Sequence, residues 1–399
     1  MLLPVRLSPA RLTMLLCCSI TVLEGFDLQA AGVAAPKLAR ALTVDAGRLG
    51  WFFSAGTLGL MLGAAAGGRL SDRVGRKPVL LMSVALFALL SLLTGLSQSF
   101  DQLLLARFVT GVGLGGALPN LIALAAEATP LHRRGAAIGL LYAGMPVGGA
   151  LASLTSLIGI GPQDWRLVFL LGGVLPLLLL PLVARLLPAS LSAASAPHGV
   201  TNFAQALFGE GRTATTLLLW FGQFFILVTV YLLLNWLPSL LIGRGLSRSD
   251  AGLMQTLFNL AGAGGAIVAG QLMDRGRWRT GTAAGLHGAA VLCLLAMAAA
   301  TLPLPLWLCL GACLGVTVLG CQSILYGLAQ SSYPRALRGS GVGAAVAVGR
   351  SGSVVGPLLA GLLLSSGQSA SQVLLALLPV MTVSGLVTTL LAKKPVADR

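Results

Sequence analysis

Charged side chains are scarce in this sequence, and acidic ones are the scarcest. Of 399 residues, 11 are Asp or Glu and 26 are Lys or Arg. A chain with 9% charged residues, 56% hydrophobic residues and a mean hydropathy of +0.91 lies outside the range of soluble domains. The sequence consists largely of long apolar runs, and these predict a protein that crosses the membrane several times.

Further absences narrow the class of protein. The sequence has no series of ten-residue segments with alternating polar and apolar residues, which disfavours a membrane β-barrel. Glycine-rich runs lack the lysine of a phosphate loop, and no metal-ligand cluster or nucleophile–base arrangement occurs, so we expect a protein that is not an enzyme and needs no cofactor or metal. Six cysteines lie in apolar runs without metal-ligand spacing, and we interpret them as packing residues: Cys17, Cys18, Cys293, Cys309, Cys313 and Cys321.

Twelve apolar runs of about 20 residues predict twelve membrane-spanning helices and an all-α integral membrane fold. Residues 1–34 carry a basic flank like that of a signal peptide, but the apolar run is too long and no cleavage site follows, so we expect a retained first span. The runs begin near Leu12, Leu49, Pro78, Gln102, Gly135, Leu167, Thr215, Ala251, Gly281, Pro305, Gly339 and Gln372.

The distribution of the basic residues predicts the topology. With a cytoplasmic N-terminus, 18 of the 26 fall in cytoplasmic segments, and both termini are then cytoplasmic. The excess positive charge thus indicates orientation in a membrane, with the lipid bilayer and not nucleic acid as the partner. The outside loops hold Lys37, Arg40, Arg48, Arg166, Arg244 and Arg248, and two spans hold Arg107 and Arg350.

The chain repeats itself. GRLSDRVGRK at 68–77 recurs as GQLMDRGRWR at 270–279, with Gly68, Leu70, Asp72 and Arg73 matched at a constant shift of 202. This predicts two six-helix halves, 1–187 and 214–399, joined by a small, polar cytoplasmic linker at 188–213. Parallel repeated halves are the architecture of transporters that hold their substrate at the repeat interface near mid-membrane.

Two acids, Glu24 and Asp27, interrupt the first span. A charge at the centre of a spanning helix costs roughly 2.5–3.5 kcal/mol, so these residues are expected to be functional. Three residues apart, they share one helix face, and like charges at that distance resist joint ionisation. We predict that Asp27, with Glu24, carries a proton. The alternative is that one acid pairs permanently with Arg350 or Arg107 and holds helices together.

Arg350, deep in the eleventh span, offers a bidentate fork that matches the carboxylate of an organic acid. Arg107 lies near the start of the fourth span, where snorkelling or an interhelix bond competes with a part in proton transfer. Aromatic and amide side chains at helical spacing are candidate substrate contacts, although such stripes also face lipid or neighbouring helices. These candidates are Asn120, Tyr142, Trp220, Phe224, Tyr231, Asn235, Gln255, Asn259, Gln322 and Tyr326.

The loop GRLSDRVGRK is predicted to act in gating. The carboxylate of Asp72 could lie at the positively charged N-terminal end of a neighbouring helix. The basic residues could contact carbonyls or acids across the interface of the halves, and the glycines permit close approach of the backbone. Positive-inside orientation alone would explain the basic residues but not the repeated acid. The predicted gating residues are Gly68, Asp72, Arg73, Gly75, Arg76 and, in the repeat, Asp274 and Arg275.

GRLSDRVGRK and RFVTGVGLGG at 107–116 resemble signatures of the major facilitator superfamily. EGFDLQAAGVA in the first span and GVGAAVAVGR at 341–350 resemble its aromatic acid:proton symporters, from which Glu24 departs because that family typically has Asp there. The resemblance implies a monomer that imports an aromatic carboxylate, 3-(3-hydroxyphenyl)propionate or a related hydroxylated acid, together with protons. Two alternatives stay open: an antiporter that exports small organic compounds, suggested by GMPVGG in the fifth span, and a sensor that does not transport.

Overall fold

A computed structural model describes residues 8–130, 133–157, 165–188, 203–274, 279–299, 302–334 and 337–394. These residues form thirteen α-helices and one 3-10 turn, Thr155–Leu157. In chain order the helices are α1 Pro9–Ala41, α2 Ala46–Val74, α3 Arg76–Leu96, α4 Phe100–Glu127, α5 Arg134–Leu154, α6 Trp165–Leu186, α7 Phe203–Phe208, α8 Thr213–Gly243, α9 Arg248–Asp274, α10 Arg279–Ala299, α11 Leu304–Ser331, α12 Arg338–Ser365 and α13 Ala370–Ala392.

The predicted twelve-helix fold is confirmed. Within the described ranges, twelve helices are long and apolar enough to cross a membrane, and no strand is present. Each begins one to three residues before its predicted start, because the first helical turn extends beyond the apolar run that marks the span. The short α7 falls in the predicted linker, most of which lies outside the described residues.

Local sequence signals account for several helix boundaries. The Ser99 side chain accepts a hydrogen bond from the Gln102 amide at the start of α4, and Ser369 forms a reciprocal capping box with Gln372 at the start of α13. Gly75 separates α2 from α3 with φ +93°, a conformation that only glycine adopts at low cost. The chain therefore reverses between these spans without a long loop.

The chain forms two compact units, each with its own interior. The first comprises Met1–Lys37, Ala55–Ala152 and Ile160–Ala196, and the second comprises Leu38–Ser54, Ser153–Gly159 and Pro197–Arg399. Inside the first unit α3 packs on α4 and α6; inside the second, α8 packs on α12, α9 on α11 and α10 on α13. The boundaries predicted for the halves, 187 and 214, remain a prediction.

Glycines allow helices to meet backbone to backbone in both units. In the first unit, a Cβ at Gly148 of α5 would collide with the Val22 carbonyl oxygen of α1. In the second, a Cβ at Gly352 of α12 would collide with the Phe224 carbonyl oxygen of α8. A glycine thus lets α5 pack on α1 and α12 pack on α8, as expected for a repeated fold.

Candidate functional site

A buried ion pair joins α1 to α4 in the first unit. Arg107 Nη1 lies 2.6 Å from Asp27 Oδ1, and Arg107 Nη2 donates to the backbone carbonyl oxygens of Asp27, at 2.9 Å, and Leu28, at 3.0 Å. Asp27 is 0% exposed and Arg107 is 3% exposed. Three charge-assisted hydrogen bonds therefore compensate the guanidinium for its removal from solvent.

The position of Arg107 decides between the alternatives left open by the sequence. Its guanidinium turns inward to Asp27, so the interhelix bond is confirmed and snorkelling is wrong. Gly56 of α2 makes room for it, since a Cβ there would lie 3.1 Å from Arg107 Nε. The sequence left open whether Asp27 pairs with Arg107 to hold helices together or carries a proton. One carboxylate can do both, because protonation of Asp27 weakens the ion pair.

Glu24 lies one helical turn before Asp27 and is 1% exposed, so both acids of the first span are buried in the interior. Gly25, between them, packs against the backbone of Met145 in α5. The interior of α1 therefore combines two carboxyl groups with close packing against α5. Such a location strengthens electrostatic interactions and penalises any charge that lacks a partner.

A second polar cluster joins three helices of the second unit. Arg350 Nη1 of α12 donates to the Tyr231 hydroxyl of α8 at 2.6 Å, and the guanidinium carbon lies 5.9 Å from the centroid of the Tyr231 ring. Tyr326 of α11 interacts electrostatically with both residues and hydrogen bonds to the Gln322 side chain. Three side chains that the sequence predicted as substrate contacts, Tyr231, Tyr326 and Gln322, thus lie in one cluster with Arg350.

The other predicted contacts are placed differently. Asn120, Asn235 and Asn259 are buried, and each donates its side-chain amide to the carbonyl oxygen four residues earlier in its own helix. This satisfies an amide that would otherwise be costly in hydrocarbon. Gln255 is buried as well, at 1% exposure.

Two aromatic candidates on α8 contact other aromatic rings. Trp220 packs edge-on against Phe208 of α7, with ring centroids 5.7 Å apart, and Phe224 packs against Phe225 at 5.3 Å. Tyr142 of α5 belongs to the first unit and is 42% exposed. Within the predicted stripe along α8, Tyr231 hydrogen bonds to Arg350.

The structure corrects one expectation for the predicted gating loop, whose role in gating stays a prediction. Gly68 faces open space, so it does not serve a close approach, and Gly75 serves a positive-φ turn. Arg76 forms an ion pair with Glu127 of α4. Asp72 and Arg73 are exposed. Arg275 and the side chain of Asp274 lie outside the described residues.

Sequence reasoning missed two buried polar side chains. Gln223 of α8 is 0% exposed, and its amide has no hydrogen-bond partner among the described residues. His287 of α10 is 3% exposed and links α10 to α13, with Nε2 3.2 Å from Ser384 Oγ. Both could have been noticed in the sequence, because an amide or imidazole side chain within an apolar run is unusual.

Twelve spans with an arginine inside each unit, Arg107 and Arg350, are typical of membrane transporters built from internal repeats. Residues 17–357 match the sequence model of the Major Facilitator Superfamily, and the chain belongs to this family. The family resemblance inferred from the sequence motifs is thereby confirmed.

The sequence is also similar to individual transporters of this family. The chain is 43% identical to the 3-(3-hydroxy-phenyl)propionate transporter of Escherichia coli strain K12, over 96% of this chain and 94% of that protein. It is 35% identical to the gallate transporter of Pseudomonas putida, over 89% of this chain and 86% of that one. A crystal structure of a D-xylose-proton symporter shares the fold, with a TM-score of 0.76, 18% identity and coverage of 96% and 97%.

Proposed function

We propose that the protein is a proton-coupled symporter that imports an aromatic carboxylate by alternating access. The substrate class is 3-(3-hydroxyphenyl)propionate or a related hydroxylated aromatic acid, as the names of the two relatives suggest. The protein acts as a monomer in a bacterial inner membrane, with both termini in the cytoplasm. The 18 basic residues in the predicted cytoplasmic segments support this orientation.

The observation that carries the proposal is the cluster around Arg350. A guanidinium binds a carboxylate through two parallel N–H···O bonds, and the Tyr231 hydroxyl holds Nη1 at 2.6 Å, which fixes the orientation of the fork. The rings of Tyr231 and Tyr326 add aromatic surface and hydroxyl groups beside the same charge. A hydroxylated aromatic acid presents the complementary groups.

The Asp27–Arg107 pair supports proton coupling. Protonation of Asp27 cancels the charge that holds Arg107, so the pair weakens when the proton binds and strengthens when it leaves. A proton therefore changes the relative energies of arrangements in which α1 and α4 are joined or separated. Glu24, one turn away in the same interior, tunes this equilibrium through its own charge.

The second candidate function is an exporting antiporter. It rested on GMPVGG in the fifth span, and in the structure Gly148 of that run serves the packing of α5 on α1. Close helix packing accounts for the glycine without any role in the direction of transport. The direction remains measurable, because a symporter and an antiporter respond oppositely to a proton gradient.

The test is uptake of labelled 3-(3-hydroxyphenyl)propionate into proteoliposomes that are acidic outside. Wild-type protein should concentrate the acid inside, with competition by other hydroxylated aromatic acids and little by aliphatic acids. Asp27→Asn should abolish this accumulation while retaining binding of the acid. Efflux driven by inward proton flow would support the antiporter instead, and accumulation by Asp27→Asn at the wild-type level would remove Asp27 as the proton carrier.

A further inference from the structure

The second carboxylate oxygen of Asp27 lies in an unusual setting. Oδ1 accepts the hydrogen bond from Arg107, but no group among the described residues donates to Oδ2, although this atom is fully buried. An unsatisfied carboxylate oxygen in the interior is costly, and adding a proton to that oxygen relieves the cost. Oδ2 is therefore the oxygen on which a proton is best held.

An acceptor for that proton lies nearby. A Cβ at Gly172 of α6 would lie 3.0 Å from Asp27 Oδ2 and also 3.0 Å from Ser91 Oγ of α3, so the two oxygens are at most about 6 Å apart. Gly172 has no side chain to fill the space between them. Ser91 is 0% exposed, as Asp27 is, so bulk water does not compete at this position.

The hydrogen-bonding of Ser91 suits it to accept rather than donate. Its hydroxyl donates to the Phe169 carbonyl oxygen at 3.1 Å, and because a carbonyl only accepts, the serine proton is committed to that bond. The lone pairs of Oγ remain as acceptors. A proton on Asp27 Oδ2 then completes a chain from the carboxyl group through Ser91 to the Phe169 carbonyl.

We propose that Ser91 and Gly172 form a proton-holding pocket in which protonated Asp27 donates from Oδ2 to Ser91 Oγ. The O–H bond forms at Oδ2 with a proton taken from water on one side of the membrane and breaks when that proton returns to water on the other. Ser91 is a positioning residue, and Gly172 supplies the space for the contact. The inference rests on the proposed role of Asp27 and adds the residues that hold its proton.

The charged groups around Asp27 are few. Arg107 approaches from α4, and Glu24 lies one turn earlier on α1 itself. On α2 the charged residues lie in the first three and last six positions, and α5 adds Tyr142 as a further titratable side chain. The other charged residues of α3, α4, α5 and α6 all lie within two residues of a helix end: Arg76, Lys77, Asp101, Glu127, Arg134, Arg166 and Arg185.

The experiment measures the initial rate of 3-(3-hydroxyphenyl)propionate uptake into proteoliposomes against external pH. Ser91→Ala removes the acceptor and destabilises the protonated form, so half-maximal uptake should move to lower pH by about half a unit to one unit. Ser91→Thr keeps the hydroxyl and should keep the wild-type profile. Substrate affinity should be unchanged in both variants, which a general loss of structure would not produce.

Gly172→Ala tests the space independently. Its methyl group would lie 3.0 Å from both oxygens and hold them apart, so the profile should shift in the same direction as in Ser91→Ala. The double variant should shift no further, because both changes remove one contact. If Ser91→Ala does not fold, Gly172→Ala alone decides the question.

Matched controls lie on α3, the helix of Ser91. Gly95→Ala places a methyl group against the Leu170 side chain, and Thr94→Val removes a buried hydroxyl that bonds to the Leu90 carbonyl. Both should retain the wild-type profile. Unchanged profiles in Ser91→Ala and Gly172→Ala, or a shift to higher pH, would overturn the pocket. Gradient-driven accumulation by Asp27→Asn would instead overturn the proposed function, so the two failures are distinguishable.

Discussion

Arg107 binds Asp27 twice, once at the carboxylate through Nη1 at 2.6 Å and once at the backbone carbonyl through Nη2 at 2.9 Å. The side chain of α4 therefore holds both the charge and the backbone of α1. Because the pair is buried, its partners depend on one another more than those of an exposed pair do.

The first prediction concerns the coupling of this pair. Arg107→Met leaves an uncompensated buried carboxylate and should lower the free energy of unfolding by about 3–5 kcal/mol. Adding Asp27→Asn should recover part of that loss, a non-additivity visible in the melting temperatures of the purified variants. The partly exposed Arg76–Glu127 pair is the control, and its removal should cost at most about 1 kcal/mol. Additive effects of the two buried substitutions would contradict the coupling.

The second prediction concerns Arg350. Arg350→Lys keeps the charge but loses the bidentate fork, so affinity for 3-(3-hydroxyphenyl)propionate should fall about tenfold or more, measured by titration calorimetry. Tyr231→Phe removes the 2.6 Å bond that orients the guanidinium and should weaken binding in the same way. Arg244→Lys, at a guanidinium that bonds Ser371 in the same unit, is the matched control. Unchanged affinity in Arg350→Lys would remove Arg350 from the substrate site.

The third prediction concerns stoichiometry. Because Glu24 and Asp27 lie one turn apart in the same interior, we expect only one of them to change protonation in each cycle. One proton with one carboxylate carries no net charge, so the membrane potential should not drive uptake. A potassium diffusion potential, inside negative and without a pH difference, should leave proteoliposomes without concentrated substrate. Strong accumulation under that potential would mean that both acids carry protons.

The fourth prediction assigns a structural role to His287. Its ring lies 2.8 Å from the Ala283 carbonyl and 3.2 Å from Ser384 Oγ, joining α10 to α13. His287→Ala should lower the free energy of unfolding by about 1–3 kcal/mol and the melting temperature accordingly, through the lost bond and the empty space. Substrate affinity should remain at the wild-type value. A large loss of affinity with an unchanged melting temperature would place His287 in transport instead.

The twelve spans and the residues that interrupt them follow from the sequence alone. The cost of placing a side chain in hydrocarbon depends mainly on its type and depth, so apolar runs identify helices and Glu24, Asp27 and Arg350 stand out within them. The repeated segment at 68–77 and 270–279 is equally local and visible without coordinates. Local composition was therefore sufficient to predict the helical membrane fold and the candidate charged residues.

Only the tertiary structure decided which charges meet. Asp27 and Arg107 are 80 positions apart, and whether Arg107 turns toward α1 or toward solvent depends on the space that Gly56 leaves between the helices. The same holds for Ser91 and Gly172, which have no unusual sequence spacing yet flank one oxygen of Asp27. Helix periodicity predicts which residues share a face, but it does not predict which faces pack together, because that depends on the shapes of side chains on both partners.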